Sequence, residues 1–360
     1  MIINYFTPPH TIEHPFRIND MLQELGGWRF AAKGRYCLYH ILKSLNIKGP
    51  VLVPIYCCES ILQPLRELGL PWHCYDINIE DLNPNVNSID YFIDKYNAEC
   101  VIAVSMYGNP AELDKLEEIC QKKGVKLIDD AAQSFGASLN GKCVGYFGDA
   151  GFFSFSPGKP LAGHLGGAFR TSNLSYRIEY TKHTLAHRFI YKDFEYNRCQ
   201  NHMMNNFKGK LYGYGCFVAK KLFSLRDDIY SRFEEGALYG VYKDSLNIHI
   251  PYRTSYAHNL SHAIHSEFFR VLKPYNDDYR IGVAHKYILI CKSKDIANRL
   301  NCNLRNNEIM SQMGYKMLCN CERYEQAKII ADCVVEIPLN SDKNEFDYIV
   351  QVLSDFKYNK

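Results

Sequence analysis

The chain has 360 residues, 47% hydrophobic and 22% charged, with 23 glycines and 14 prolines; this balance is that of a globular protein and excludes collagen-like, low-complexity and disordered classes. Lys and Arg number 42 against 39 Asp and Glu, a formal charge of +3 with both signs mixed along the chain, so no clustered basic face points to nucleic acid. The longest apolar runs, such as 101–104 and 287–291, fall far short of the ~20 residues of a membrane span. The start MIINYFTPPHTIEHPF puts prolines and charges where a signal peptide carries its apolar segment, which predicts a cytoplasmic protein.

At roughly 100–200 residues per domain, the length predicts two structural units. There are 14 cysteines and 27 tyrosines. Thiols stay free in reducing cytosol. A zinc site needs paired ligands at tight spacing, which only Cys57-Cys58 and Cys319-Asn320-Cys321 approach. Most cysteines are therefore read as small buried hydrophobes, and no metal is expected.

In chain order, Arg35–Leu45 places Leu38, Ile41, Leu42 and Leu45 at helical spacing, and Val51–Pro54 reads as a strand after Gly49-Pro50. Ser60–Leu68 reads as a helix ending at Gly69, with Pro64 near its first turn, and Trp72–Ile77 as the next strand. Ile89–Lys95 is expected to be helical, Cys100–Val104 a strand, Pro110–Lys123 a helix with Pro at its start and Gly124 after its end, and Val125–Ile128 a strand. This alternation predicts an α/β fold, a mostly parallel sheet with helices on both faces. Ligands then bind beyond the carboxyl ends of the strands, near residues 56–60, 105–109 and 129–134.

From residue 172 to about 284 the periodicity fades, and so long a stretch is expected to hold irregular helices rather than one loop. Strand Lys286–Cys291, helix Asp295–Leu300, strand Val334–Pro338 and helix Asn344–Phe356 then make a small C-terminal αβ unit.

The most informative segment is 127–167, LIDDAAQSFGASLNGKCVGYFGDAGFFSFSPGKPLAGHLGG. A strand ends in Asp129-Asp130, a second apolar strand covers Gly151–Phe155, and SFSPGK then presents Lys159 between Gly158 and Pro160 with no neighbouring charge. Such a lysine is either a solvated surface residue or, in a dehydrated pocket, a nucleophile toward carbonyls. Asp130, followed by two alanines, would also serve as a helix N-cap, and Asp129 equally so.

The segments GRYCLYHILKSL, VLVPIYCCES, MYGNPAELDKLEEIC, LIDDAAQSFGA and FFSFSPGKPLAGHLGG, in this order and spacing, resemble the DegT/DnrJ/EryC1/StrS sugar aminotransferases, which use pyridoxal 5'-phosphate on the fold-type-I scaffold. The resemblance covers residues 25–170 well and returns weakly from about 285 onward. It implies an N-terminal arm (1–25), a large cofactor-binding domain (26–240) and a small C-terminal domain (241–360).

Carried over residue by residue, the resemblance makes Lys159 the lysine that holds the cofactor and Asp130 the partner of its ring nitrogen. Gln133 falls beside the ring hydroxyl and Ser154 at the phosphate. Gly34 and Arg35 form a phosphate loop at a helix N-terminus, and Asn197 reaches the phosphate of the partner subunit. Several positions depart from the family pattern. Arg35 stands where relatives carry Ser or Thr, and its charge could add a phosphate contact. Cys58 stands where an aromatic usually stacks, so Tyr56, two residues earlier, or another aromatic is the candidate ring wall. Leu165 and Ser105 replace a usual Glu and His.

The pairs His183/His187 and His262/His265 have helical spacing but no obvious third metal ligand. The resemblance implies transfer of an amino group from an amino acid, glutamate foremost, to a nucleotide-linked keto sugar in cell-surface polysaccharide synthesis (O-antigen, lipopolysaccharide or capsule). It also implies a homodimer with shared sites and no nucleic-acid or membrane partner. Two alternatives stay open. One is a cofactor-dependent dehydratase or an aminotransferase for a non-nucleotide ketone; some relatives replace the lysine with histidine, and His164 lies near Lys159. The other is a non-catalytic homologue that binds a nucleotide sugar or a partner enzyme.

Overall fold

The computed structural model describes residues 27–156, 158–161, 166–172, 178, 250–319, 324–339 and 343–358. The expected N-terminal arm and the expected boundary at 240/241 lie outside the described residues, as do Asn197, His183, His187, His164 and Leu165.

The main sheet has seven strands: β1 (Arg29–Ala31), β2 (Val51–Pro54), β3 (Trp72–Tyr75), β4 (Cys100–Val104), β5 (Lys126–Asp130), β8 (Ala150–Ser154) and β9 (Gly167–Thr171), in the order β1-β9-β8-β5-β4-β2-β3. β3, β2, β4, β5 and β8 run parallel, β9 pairs antiparallel with β8, and β1 pairs antiparallel with β9 at the edge. Every residue of β2, β4 and β8 is buried, which explains why they read as unbroken apolar runs. The helices α1 (Gly34–Ser44), α2 (Leu62–Glu67), α3 (Val86–Tyr96) and α4 (Leu113–Lys123) alternate with them.

Local chemistry sets the ends of these helices. Asn85 caps α3 by accepting from Ser88 N–H at 2.9 Å, and Asn97 ends it in the left-handed region at φ 48°. α4 stops at Gly124, φ 69°, as expected, but begins three residues after Pro110. The intervening segment is tied to the strand-end loop instead: Ala111 N–H donates to Ser105 Oγ (3.2 Å), and the Asn83 amide donates to the Pro110 carbonyl (3.1 Å).

β5 runs two residues past its expected end because Asp129 and Asp130 continue the ladder beside Ala103 and Val104. The sheet thus carries two buried carboxylates at its carboxyl edge. No helix follows Asp130. Residues 132–133 and 135–136 are turns, so the helix-cap reading of the Asp-Ala-Ala segment does not hold.

A small sheet pairs β10 (Phe269–Val271), β12 (Lys286–Cys291), β14 (Val334–Pro338) and β13 (Gln312–Met313) antiparallel. It is accompanied by α5 (Ile250–Ala263), α6 (Lys294–Asn306), α7 (Glu325–Ile330) and α8 (Lys343–Ser354). A second core gathers Tyr256, Leu260, Leu289, Leu300, Ile337 and Leu353. A three-stranded patch, β6 (Ser138–Leu139), β7 (Lys142–Cys143) and β11 (Arg280–Ile281), joins the two parts of the chain.

The expectation of irregular helices up to residue 284 is corrected in the described part. Residues 250–263 form one regular helix and 269–271 a strand. The 11 described cysteines are all free, and seven are buried, which fits their reading as small hydrophobes. Among the described residues no helix is long and apolar enough to cross a membrane.

Candidate active site

The carboxyl ends of β2, β4, β5 and β8 lie along one edge of the sheet, and the loops that follow them bring the candidate residues together. Ser154 ends β8 and is 7% exposed; five residues on, half-buried Lys159 sits in a turn closed by its own N–H on the Ser156 carbonyl (3.2 Å).

Asp129 and Asp130 play different parts although they are adjacent. Asp129 Oδ2 accepts from the N–H groups of Gly145 (2.5 Å) and Phe147 (3.2 Å), and the Arg170 guanidinium ties the same turn through the Gly145 and Phe147 carbonyls. It anchors a turn. Asp130 Oδ1 accepts from Ala132 N–H at 3.0 Å, and its charge interacts with Lys159. Burial pushes the Asp130 carboxyl up to about 6, against the pull of the Ala132 hydrogen bond and the Lys159 charge. Burial lowers the proton affinity of Lys159, and the Lys286 ammonium adds to this, with Cys58, Asp130 and Glu336 opposing. The charges of Asp130, Cys58 and Lys159 are thus close enough to act on one another.

Gln133 is 3% exposed; its Nε2 donates to Met106 Sδ (3.3 Å) while Oε1 has no partner among the described residues. A buried acceptor left without a partner costs roughly 1–3 kcal/mol, so a donor brought to Oε1 would offset that cost. Gly34 opens α1 directly against β8, and a Cβ there would meet Ser154 Cβ at 3.0 Å and Oγ at 3.3 Å. No side chain caps this helix start, so glycine leaves a polar cradle between backbone N–H groups and a serine hydroxyl. Arg35 Nη1 donates to Gln63 Oε1 at 2.8 Å, which turns that arm of the guanidinium toward α2.

The expectation for Tyr56 is corrected. A stacking ring would leave a face open in the ligand-free chain, yet Tyr56 is 0% exposed. Its hydroxyl lies 3.1 Å from that of Tyr107 and accepts from Tyr315 N–H at 3.1 Å, while its ring meets that of Tyr315 edge-on. Tyr56 braces the joint between the two sheets, and the position near Lys159 belongs to exposed Cys58, whose Sγ lies 3.1 Å from Ser60 Oγ. Ser105, engaged by Ala111, is likewise a support.

Sequence reasoning missed the polar network behind this joint. Glu336, 1% exposed on β14, pairs with Lys286 Nζ at 2.5 Å and accepts from Gln312 Nε2 (2.6 Å) and Tyr107 Oη (2.8 Å). The signal was available, since a glutamate inside the apolar run VVEIP must find buried partners. Among the described residues no group of three His, Cys, Asp or Glu side chains could hold a metal ion, and His262 and His265 are exposed.

Comparison with known proteins bears on the family and the fold. The chain is 30% identical over 138 residues to a GDP-perosamine synthase of Vibrio cholerae, covering 38% of this chain and 37% of that protein. It is 33% identical over 133 residues to a UDP-N-acetyl-3-dehydro-alpha-D-glucosamine 3-aminotransferase of Acidithiobacillus ferrooxidans, covering 36% of each. The matches thus span little more than a third of these curated relatives. The fold superposes on an aminotransferase, TlmJ, of Streptoalloteichus hindustanus with a TM-score of 0.72 at 15% identity, covering 98% of both chains. The sequence profile of the DegT/DnrJ/EryC1/StrS aminotransferase family matches residues 33–213, half of the chain, and the chain belongs to that family.

Proposed function

We propose that this protein is a pyridoxal-phosphate aminotransferase that moves an amino group from an amino acid, glutamate foremost, to a nucleotide-linked keto sugar for cell-surface polysaccharide synthesis. The observation that carries the reading is that the neighbouring parallel strands β5 and β8 end at Asp130 and Ser154, with Lys159 five residues past Ser154, and that the charges of Asp130 and Lys159 act on each other. The residues fit the cofactor on three counts: Gln133 Oε1, which has no partner among the described residues, the cradle between Gly34 and Ser154, and a buried carboxylate whose charge interacts with the lysine.

When bound, the cofactor supplies a protonated ring that accepts electrons from the carbon bearing the amine. Lys159 would hold it covalently, and once displaced its Nζ would move a proton to and from that carbon; burial and the Lys286 charge favour the uncharged amine this requires. Asp130 would keep the proton on the ring nitrogen. Gln133 would face the ring hydroxyl. The first N–H groups of α1 with Ser154 would hold the phosphate. We assign Asn197 to the phosphate bound by a second copy, in a cytoplasmic homodimer.

Purified protein incubated with isotopically labelled glutamate and a panel of nucleotide-linked 3-keto and 4-keto sugars tests this directly. Label recovered in an amino sugar is the expected result. Loss of the substrate hydroxyl without label transfer would mean dehydration. Failure to take up pyridoxal phosphate would mean a non-catalytic binder.

A further inference from the structure

Two neighbouring residues of α5 hold two separate segments of the chain. Arg253 Nη2 donates to the Pro160 carbonyl at 2.5 Å, next to Lys159, and Thr254 Oγ1 accepts from Ala284 N–H at 3.0 Å, next to His285. One helical turn thus clamps the Lys159 loop to the start of β12.

His285 is 5% exposed, and its Nδ1 has no partner among the described residues. Burial, with the charges of Lys286, Lys159 and Arg253, keeps its proton affinity well below the ordinary value, so the imidazole is neutral. Lysine and arginine only donate, whereas a neutral imidazole has one donor and one acceptor. An anion would be drawn to the cations themselves. The group that satisfies Nδ1 in either tautomer is an uncharged hydroxyl, which both donates and accepts.

We infer that His285 is a substrate-binding residue whose Nδ1 hydrogen-bonds a hydroxyl of the sugar ring. This rests on the sugar substrate proposed above. It places recognition of the sugar on the C-terminal part of the chain, at the start of β12.

The test uses the full chain with GDP-mannose, UDP-N-acetylglucosamine, GDP and UDP as probes in calorimetric titrations. Wild type is expected to bind one nucleotide sugar more tightly than its nucleoside diphosphate. His285→Leu should lose about tenfold of that preference, the worth of one hydrogen bond to a buried group. Its melting temperature should be no lower, since an unpartnered polar atom has been removed. Equal preference in wild type and His285→Leu overturns the inference and means that resident water serves Nδ1. Wild type without any preference overturns the sugar-substrate reading together with the inference. If His285→Leu also loses the nucleoside diphosphates, His285→Gln decides: a preference kept within about threefold supports the inference, and a lost one overturns it.

Discussion

Gly34, the first residue of α1, lies against Ser154, the last residue of β8, so closely that a Cβ on the glycine would stand 3.0 Å from the serine Cβ and 3.3 Å from its hydroxyl. The space kept open by the missing side chain is bounded by N–H groups with no capping side chain and by one hydroxyl, the combination that suits a phosphate. Gly34→Ala should leave the fold intact, because its backbone is already helical, and weaken retention of pyridoxal phosphate by about tenfold or more. Titration of the ligand-free protein with the cofactor checks this; unchanged affinity would remove the phosphate from this position.

Asp130→Asn keeps the acceptor for Ala132 N–H and removes the charge. The variant is expected to bind the cofactor, melt close to wild type and lose roughly 100-fold or more in turnover, in line with removal of one preorganised electrostatic group. Turnover within a few-fold of wild type would make Asp130 a structural residue like its neighbour.

The two aspartates also set how stability changes with pH. Burial raises Asp129 to about 7 and Asp130 to about 6, from an ordinary 3.8. Above pH ~4 the unfolded chain releases these protons while the folded chain keeps them, so stability falls as pH rises, by up to roughly 1.4 kcal/mol per pH unit for each group. Asp129→Asn, which still accepts from Gly145 and Phe147, should flatten the fall up to about pH 7. Melting curves at about pH 5 and about pH 8 decide the matter; identical slopes in wild type and variant would contradict it.

The buried pair between Lys286 and Glu336 makes a fourth prediction. Lys286→Met removes the cation from a carboxylate that is 1% exposed and to which Gln312 and Tyr107 still donate, and should cost about 3–5 kcal/mol. Combining it with Glu336→Gln should restore most of the loss, since breaking such a pair costs more than deleting it. Equal stability of single and double variants by denaturant titration would show that the pair is not coupled.

Much of this arrangement was legible in the sequence, and the reasons are local. Val51–Pro54, Cys100–Val104, Lys286–Cys291 and Val334–Pro338 were readable as strands because each is an apolar run packed inside a sheet. Asp130, Gln133, Ser154 and Lys159 were singled out by the family resemblance of residues 127–167, since the residues alone left Asp129 and Asp130 equal and Ser154 an ordinary strand serine. α5 escaped notice because its buried face, Ile250, Tyr256, Ala257 and Leu260, is interleaved with histidines and with Tyr252, which is 49% exposed. The bracing role of Tyr56 was equally hidden, since its partners Tyr107 and Tyr315 come from other elements and only the packed joint reveals them.

The central claim, that Lys159 is the residue that holds pyridoxal phosphate, has one direct measurement. Protein incubated with the cofactor is reduced with borohydride, digested and mapped by mass spectrometry. A stable cofactor adduct on Lys159, absent in Lys159→Ala, is the predicted result. An adduct on Lys286 or another lysine with Lys159 unmodified, or transamination that persists in Lys159→Ala, would contradict it.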